Sequence, residues 1–492
     1  MKKYTLWAIM LCWAVCAAAT PRLTVVVAVD GMNPDELNAL RNFWPVGGLR
    51  TLQEEAFQTE VTLPHMIYGG AETAATLLTG VTPQEHGITQ NSYFSRTDRK
   101  AHSLFEDTEH KGIGTQLSVS PNCILSMTLA DRFRRVYGEK SKIYAIGLDP
   151  QTTLCMAGHS ANACCWLDAA EGRWVTTTYY PEGLPSSADK MNTSGRISEI
   201  EQHQWTPRMD ILQYMHPTDL EKKKSFGYTG LCGGHAPIVN ELEIELALEL
   251  QKNEHLGEDP LSDLLLIQLT TLSPKVKADH IISAEQEEMY LSVNQNIGFL
   301  MEQLNKRIGK QNYQLLVVGL PRYGSDEHTL QQTGLPRREF NLDRAVALMG
   351  TYLMAIYGHE RWVDGGYGQS IYLNRTLIEQ KKLSLETIRR QASDFLLEFS
   401  GVQGACSITD LPFIQGNQEA SRLRESIQKR TRGDVVFWLV EKWLVMKNDR
   451  EPGDFLADRN PAVPVMLWSG AYRNYPERSA VNALNLQSLL FE

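Results

Sequence analysis

Four short runs of apolar and β-branched residues constrain the fold of this chain more than any other feature. They are LTVVVAV at 23–29, KIYAIGL at 142–148, LLLIQL at 264–269 and LLVVGL at 315–320. Runs with little or no polar alternation are typical of strands that are buried on both faces of a parallel sheet. The first run ends at Asp30 and Gly31, so we expect a carboxylate at the carboxyl edge of that sheet.

Segments with helical periodicity separate these runs. One helical stripe ends before Gly309 and consists of Met289, Val293, Ile297, Leu300, Met301, Leu304 and Ile308. Strands that alternate with helices predict an α/β fold with a large, central, mostly parallel sheet flanked by helices. Ligands of such folds bind at the carboxyl ends of the strands. Residues 91–234 are less regular and richer in aromatic residues, which predicts a cap or insertion within one domain at 20–492.

The first nineteen residues have the pattern of a secretory signal peptide. Lys2 and Lys3 precede an apolar run at 6–15, and Ala17-Ala18-Ala19 supplies a cleavage signal. We therefore expect a signal peptide at 1–19 and an exported protein in the periplasm, at the cell surface or outside the cell. No later segment has the apolar length of a membrane span.

Charge and cysteine content narrow the classes of partner. The formal net charge of −10 becomes more negative once Lys2 and Lys3 are removed, which disfavours binding to nucleic acid. Six cysteines remain after the signal: Cys123, Cys155, Cys164, Cys165, Cys232 and Cys406. They form no C-x-x-C motif, so a zinc knuckle is not expected. Export permits disulfides, and of the adjacent Cys164 and Cys165 we expect one bridged and one buried.

Several segments resemble a known family. VVVAVDGM, LLTGVTPQEHGI, AGHSANACCWLD and GQSIYLNRTLIEQKKLSLETIRRQASDFLLEFSGVQG occur in the order found in the alkaline-phosphatase superfamily. The resemblance is to secreted phosphate-irrepressible alkaline phosphatases and to type I phosphodiesterase–nucleotide pyrophosphatases, and it covers nearly the whole mature chain. It implies a two-zinc phosphoryl-transfer site with a Thr or Ser nucleophile at a helix N-terminus.

The first positions of the implied site are only partly kept. Asp30 matches the family's first-strand metal carboxylate. The nucleophile position falls at Gly70, which carries no hydroxyl, and Thr73 and Thr76 are the nearest substitutes. His86 of the HGI motif matches and is interpreted as structural.

Most of the remaining positions that the resemblance assigns to metal are replaced. Thr271 and Lys275 stand where the family has an Asp and a His, Pro321-Arg322 where it has an Asp-His pair, and Ala462 where it has a His. An arginine cannot be deprotonated to bind a metal. The resemblance therefore indicates a degenerate metal site with Asp30 as its vestige.

The implied phosphate-holding groups are also changed. A Lys and an Arg of the family correspond to Asp149 and Gln151, so an anion would meet a carboxylate. Asn91 matches the family's phosphate-contacting Asn and is retained.

Three hypotheses follow. The first is an exported pseudo-phosphatase without cofactor, which serves as a binding or scaffold component of the cell envelope and has another envelope or secreted protein as partner. The second is a zinc-dependent phosphomonoesterase or phosphodiesterase with a rearranged site, in which Asp30, His65 and Glu72 hold one zinc. The third is a metal-free anion pocket formed by Lys275, Arg322 and Asn91, which would bind a phosphorylated or sulfated glycan. Against the third, the two cations could simply neutralise Asp30.

Overall fold

The structure is a computed structural model that describes residues 20–215, 225–274, 282–321, 339–440, 443–446, 462–471 and 474–491. The expected signal peptide at 1–19 lies outside the described residues, as do Lys275 and Arg322. Within the described ranges, no helix combines the length and apolar character needed to cross a bilayer.

Seventeen strands are found in the described residues. They are β1 (Leu23–Asp30), β2 (Phe57–Thr62), β3 (Ser92–Ser95), β4 (Lys100–Ser103), β5 (Gly112–Ile113), β6 (Ile143–Gly147), β7 (Ala163–Asp168), β8 (Arg173–Thr177), β9 (Asp263–Thr270), β10 (Tyr313–Leu320), β11 (Glu339–Asn341), β12 (Val363–Tyr367), β13 (Ser370–Leu373), β14 (Val402–Ser407), β15 (Val435–Leu439), β16 (Leu444–Met446) and β17 (Ala462–Ser469).

Fourteen α-helices accompany them in the same ranges. They are α1 (Pro34–Leu40), α2 (Gly48–Glu55), α3 (Gly70–Thr79), α4 (Pro83–His86), α5 (Leu129–Tyr137), α6 (Pro150–Ala157), α7 (Ser186–Thr193), α8 (Arg196–Glu201), α9 (Pro237–Asn253), α10 (Ala284–Arg307), α11 (Leu342–Tyr357), α12 (Arg375–Gln380), α13 (Leu385–Leu396) and α14 (Gln418–Ser426).

Nine strands form the main sheet in the order β2-β17-β10-β1-β9-β6-β7-β8-β5. The five central strands from β10 to β7 are parallel to their neighbours, whereas the two strands at each edge pair antiparallel. The predicted α/β fold with a large central sheet is therefore confirmed, and the sheet is mixed because its edges run antiparallel.

The central strand β1 shows why its sequence is continuously apolar. Val25, Val27 and Val29 pack into one core, which α9 and α10 cover. Val26 and Ala28 point the other way, into a second core that contains α3, α5 and α6. Because both faces of the strand are covered, no position is left for polar alternation.

The structure divides the chain differently from the cap expected at 91–234. This stretch supplies β5, β6, β7 and β8 to the main sheet. Trp166 on β7 and Trp174 on β8 lie in the two opposite cores of that sheet. The segment reads as irregular because its outer strands are short and antiparallel. The separate unit comes later, where β12-β13-β15-β14 form a four-stranded sheet with its own core against α11 and α13; we call residues 339–446 the small subdomain.

The cysteines are not bridged. All six of them lie in the described residues and are free thiols. Cys164 and Cys165 are adjacent on β7, so one faces each core of the main sheet. The expectation that one of the two is bridged was wrong, because strand geometry buries both among apolar side chains.

A buried carboxylate, Asp434, joins the small subdomain to the β3–β4 hairpin. It is fully buried and accepts hydrogen bonds from Arg96 Nη2 (2.7 Å), Arg375 Nε (2.8 Å), Arg389 Nη2 (2.8 Å) and the backbone N–H of Leu373 (3.0 Å). Burial opposes the charge of Asp434, but the guanidinium of Arg96 and the hydrogen bonds from Arg389 outweigh it and hold the pKa below its usual value.

Replacing Asp434 should destabilise the fold strongly. We expect Asp434→Ala to lower the free energy of unfolding by roughly 3–5 kcal/mol, because clustered guanidinium groups lose their counter-charge. Asp364→Ala is the control: its ion pair with Arg99 is partly exposed and should contribute about 0–1 kcal/mol. Urea unfolding of both variants measures the difference, and equal losses would contradict this role of Asp434.

Candidate functional site

The carboxyl ends of the parallel strands place Asp30 beside the family's other expected ligand positions. In register, Asp30 pairs with Thr270 of β9 and with Leu320 of β10. The chain turns at Gly31 with φ +78°, and a side chain there would collide with Leu272 at 2.5 Å. The edge predicted from the sequence is thus formed, and Asp30 lies in it with its side chain buried.

Thr271 is the residue at a position that the resemblance assigns to a metal-binding Asp, and its hydroxyl binds the backbone. The Thr271 hydroxyl donates to the carbonyl of Asp30 (2.9 Å), which also accepts from the Thr271 N–H (2.8 Å). Thr271 is fully buried. A neutral hydroxyl in this arrangement adds no negative charge to the site.

Gln268, near the carboxyl end of β9, connects two carboxylates. Its Nε2 donates to Asp30 Oδ2 (3.0 Å) and to Asp149 Oδ2 (2.7 Å), and its side chain is fully buried. Its Oε1 accepts from the backbone N–H of Leu148 (3.0 Å). Each hydrogen of the amide therefore points at a carboxylate, and both ends of the side chain are fixed.

Asp149, at the position of a phosphate-holding Lys of the family, caps a helix. Its Oδ1 accepts from the N–H of Thr152 (2.9 Å) at the start of α6, whose first residue is Pro150. Asp is a favoured N-cap residue because its carboxylate satisfies an unpaired N–H of the first turn. At the position that the resemblance assigns to a cationic group, this chain therefore has a carboxylate with a structural role.

The resemblance places the nucleophile at the N-terminus of α3, which starts at Gly70. The side chain of Glu72, from the same helix, occupies that N-terminus. Glu72 Oε1 accepts hydrogen bonds from the backbone N–H groups of Tyr68 (2.5 Å) and Gly69. A helix N-terminus attracts anions, and here the chain's own carboxylate lies there. Thr73, the possible substitute nucleophile, is fully buried, and its hydroxyl is 3.4 Å from the carbonyl of Gly69.

His65 lies in a buried chain of hydrogen bonds with Thr76 and His86. His65 Nδ1 is 2.7 Å from the carbonyl of Met66, which can only accept, so this nitrogen carries the proton. His86 Nδ1 accepts from the N–H of Ile88, so its Nε2 donates to Thr76 Oγ1 (3.0 Å). Thr76 Oγ1 in turn lies 2.9 Å from His65 Nε2.

Burial keeps both imidazoles neutral. Desolvation lowers the pKa of His65 to about 4, against the opposing hydrogen bond that His65 donates to the Met66 carbonyl and with a further lowering by the charge of Arg422. Desolvation, with a smaller contribution from His65, lowers the pKa of His86 well below its usual value. These buried, neutral contacts support a structural role for His86.

The proposed zinc ligands Asp30, His65 and Glu72 are not brought together. Both ring nitrogens of His65 and one oxygen of Glu72 contact other partners, as described above. Among the described residues, no group of three or more His, Cys, Asp and Glu side chains is arranged to hold a metal ion. The prediction of this three-residue site was wrong because it relied on a loop folding over the strand end, whereas Glu72 is needed to cap α3.

Asn91 and Ala462 are two further positions that the resemblance assigns to the site. Asn91 is exposed, and its carbonyl accepts from the N–H of Leu104 (2.9 Å). Ala462 begins β17, which runs antiparallel to β10 and so starts at the same edge at which β10 ends. Its methyl group cannot bind a metal. Sequence reasoning missed Gln268, although a polar residue inside the apolar run LLLIQL was a usable signal.

Replacing the Gln268 amide, which lies between Asp30 and Asp149, by a carboxylate should destabilise the protein in a pH-dependent way. Gln268→Glu sets a third carboxylate against Asp30 and Asp149, so we expect a loss of roughly 3–5 kcal/mol at neutral pH. Repulsion raises the folded-state pKa of the introduced group above its unfolded value. The loss is therefore greatest at neutral pH and shrinks as the pH falls toward about 4.

The rescue for this experiment is Asp149→Asn in the same background. Asn keeps the helix cap and removes one of the opposing charges, so part of the lost stability should return. Urea unfolding at about pH 7 and about pH 5 measures both effects. If the Gln268→Glu protein were as stable as the parent at neutral pH, its stability would not depend on a neutral group between Asp30 and Asp149.

The buried imidazoles predict a second pH effect. Because the folded-state pKa of His65 is depressed, the unfolded chain binds more protons below about pH 6.5, and stability falls as the pH drops toward about 4. We expect His65→Gln to reduce the slope of unfolding free energy against pH in this window by up to about 1.4 kcal/mol per pH unit. Urea unfolding at several pH values between about 4 and 7 measures the slope, and an unchanged slope in His65→Gln would contradict this effect of the buried imidazole.

Comparisons with known proteins agree with this architecture. The family described as type I phosphodiesterase / nucleotide pyrophosphatase matches residues 24–462. A protein named calcium-transporting ATPase from Myroides odoratus is 28% identical over 326 residues, which cover 60% of this chain and 59% of that relative, so the chain spans less than two thirds of its length. Alkaline phosphatase PafA from Elizabethkingia meningoseptica is 22% identical over 399 residues, 76% of this chain and 72% of the relative.

The likeness extends to the fold. A crystal structure of wild-type alkaline phosphatase PafA superposes with a TM-score of 0.83 at 19% identity and covers 96% of each chain. The profile match spans most of the sequence and includes the strands that form the edge around Asp30. This chain therefore belongs to the type I phosphodiesterase / nucleotide pyrophosphatase family and has the fold of an alkaline phosphatase.

Proposed function

We propose that this chain is a non-catalytic member of its family, a pseudo-phosphatase that serves as a binding or scaffold protein outside the cytoplasm. The observation that carries the proposal is the Gln268 amide, which donates to both Asp30 and Asp149 at the edge where the family holds its metals. An amide nitrogen has no lone pair for a metal, and its hydrogens repel a cation.

The residues present do not fit a two-zinc centre. Two dications close together repel strongly and need several anionic oxygens and imidazoles to hold them. At this edge the chain supplies two carboxylates, Asp30 and Asp149, which are both bound to the Gln268 amide, together with the neutral Thr271 and Ala462. The other two positions that the resemblance assigns to metal ligands carry the cationic residues Lys275 and Arg322. We therefore derive no catalytic step through zinc.

The groups that would act on a phosphoric ester are absent from their expected places as well. Gly70 opens α3 without a hydroxyl, and Thr73 is turned inward. A phosphoryl group at the helix N-terminus would have to displace the Glu72 carboxylate, and it would find Asp149 where the family has a Lys. The negative charge of these side chains disfavours an anionic substrate.

Loss of a metal centre does not endanger a fold of this size. The main sheet buries a separate apolar core on each face, and the small subdomain has a third. A domain this large buries enough apolar surface to fold without metal. The architecture can thus persist as a platform for binding, with an envelope or secreted protein as the partner.

The alternative is a metal-dependent phosphomonoesterase or phosphodiesterase with a rearranged site. Family membership and the name of the PafA relative favour it. It would require ligands other than His65 and Glu72. The His65 ring is hydrogen-bonded to Thr76 in the core, and the Glu72 carboxylate caps α3. The metal-free anion pocket stays a prediction, because Lys275 and Arg322 lie outside the described residues.

Metal content and hydrolysis separate the two hypotheses. We expect the purified mature protein, after dialysis against zinc, to contain well below one zinc per chain by elemental analysis. It should cleave neither p-nitrophenyl phosphate nor bis-p-nitrophenyl phosphate above the rate of the buffer.

Two variants sharpen this test. Gly70→Thr restores only the nucleophile and should stay inactive, because the metal ligands are still missing. Asp30→Ala should not change the zinc content. Stoichiometric zinc that is lost in Asp30→Ala, together with phosphoric-ester cleavage, would establish the hydrolase instead.

A further inference from the structure

Helix α11 of the small subdomain is almost entirely apolar, on its outer side as well as its inner side. Residues 345–358, AVALMGTYLMAIYG, contain no charged side chain. The inner side of the helix is buried in the core of the subdomain and consists of Leu342, Ala345, Met349 and Leu353. A surface helix normally carries charged or polar residues on the side that faces water, and a helix that is apolar all round is normally covered all round. The outer side of α11 is therefore a candidate contact surface.

Two neighbouring rows of side chains form this surface, which we call the α11 face. Residues four apart lie one above the other along a helix, so each row follows a spacing of four. The large row consists of Leu348, Tyr352 and Ile356, and the small row consists of Ala347, Thr351 and Ala355. Leu348 is 42% exposed and Ile356 is 46% exposed, Tyr352 is half-buried, and all three residues of the small row are exposed.

Contacts within the small subdomain prepare both rows for burial. The ring of Tyr352 stacks on Phe395 of α13, with ring centroids 4.6 Å apart and an angle of 9° between the planes, so the middle of the large row is held in place. The hydroxyl of Thr351 donates to the carbonyl of Ala347 (3.1 Å). An apolar partner can therefore cover the small row without leaving this hydroxyl unsatisfied, which removes the usual cost of burying a polar group.

The neighbouring helix α13 shows that the other surfaces of this subdomain follow the ordinary pattern. It packs on the same core as α11 and buries Ile388, Ala392 and Leu396. Its outward positions are polar or charged, and they include the exposed Thr387, Arg390 and Asp394. The lack of charge on the α11 face is thus specific to one helix.

The shape of the α11 face fits a second copy of itself. Helices pack most often by placing the ridge formed by one row of residues four apart into the groove beside such a row on the other helix. A large row next to a row of small residues offers both the ridge and the groove. A two-fold axis would place the large row of each copy against the small row of the other, so both contacts form at once.

The charges at the start of α11 also favour a second copy. Asp343 and Arg344 are the only charged residues of the helix; Asp343 precedes the small row and Arg344 precedes the large row. In a two-fold contact, facing rows therefore carry opposite charges at the rim and none at the centre, as is usual for protein interfaces. A membrane surface fits less well, because helices that lie on membranes are rich in Lys and Arg, and the formal net charge of this chain is −10.

We propose that the protein forms a symmetric dimer in which the α11 face of one copy packs on the α11 face of the other. Two crossed helices of about four turns bury less surface than the roughly 1,600 Å² of a standard stable interface. The dimer is therefore weak and reversible, with a dissociation constant in the micromolar range. This inference goes beyond the binding role proposed above and does not depend on whether the chain holds zinc.

The test is analytical ultracentrifugation of the purified mature protein at concentrations from about 1 to about 300 µM, a range that brackets a micromolar dissociation constant. We expect a monomer–dimer equilibrium. Leu348→Arg should raise the dissociation constant at least about tenfold, because a charge would be desolvated at the centre of the contact. Leu117→Arg is the matched control: Leu117 is 45% exposed, lies outside the small subdomain and should leave the equilibrium unchanged.

A charge-swap experiment tests the packing of one row on the other. Thr351→Asp alone should also weaken the dimer at least about tenfold, since it places a charge in the small row. Mixing this variant with Leu348→Arg should give a heterodimer, because the introduced arginine of one copy then faces the introduced aspartate of the other. Melting temperatures confirm that each variant folds, and Thr351→Asp carries the test if the Leu348→Arg protein does not fold.

Each other outcome would overturn the proposal. A protein that stays monomeric over the whole concentration range would show that the α11 face serves a different partner or none. A dimer that survives Leu348→Arg, or that Leu117→Arg weakens equally, would lie on another surface. A mixture of the two charged variants that stays monomeric would exclude the packing of the large row on the small row. Failure here would leave the metal and hydrolysis measurements untouched.

Discussion

The amide of Gln268 lies between two carboxylates, and the chemistry available at the carboxyl ends of β1, β6 and β9 depends on that contact. Parallel strands end side by side, so Asp30 and the end of β6 with Asp149 come close as a consequence of topology. Two carboxylates in a partly buried place need positive or hydrogen-bond-donating groups between them. In this chain the two hydrogens of one neutral amide point at these two groups.

Other polar side chains near this edge also make structural contacts. The Thr271 hydroxyl donates to a backbone carbonyl, and the carboxylates of Asp149 and Glu72 each accept from backbone N–H groups at the start of a helix. These are ordinary stabilising contacts, each with a typical net value of about 1 kcal/mol. Together these contacts stabilise the start of α3, the start of α6 and the turn after β1.

Sequence patterns predicted the parts of this molecule that depend on local chemistry. The apolar runs identified β1, β9 and β10, and the end of the first run placed Asp30 at the strand edge. Patterns failed where partners are distant in the chain: Gln268 and Asp149 are 119 residues apart, and Tyr68 and Gln369 are 301 apart. The cap boundary failed for another reason, because short antiparallel edge strands such as β8 carry little periodic signal. The sequence suggested His65 as a zinc ligand because its burial depends on residues distant in the chain. That burial keeps the imidazole neutral and hydrogen-bonded in the core.

The loop before α3 connects the start of that helix with the small subdomain. Tyr68 in this loop donates its backbone N–H to Glu72 and its hydroxyl to Gln369. One residue thus closes the helix N-terminus on one side and orients a buried amide on the other. A mobile loop could not hold both of these contacts at once, so this segment is fixed between the start of α3 and the small subdomain.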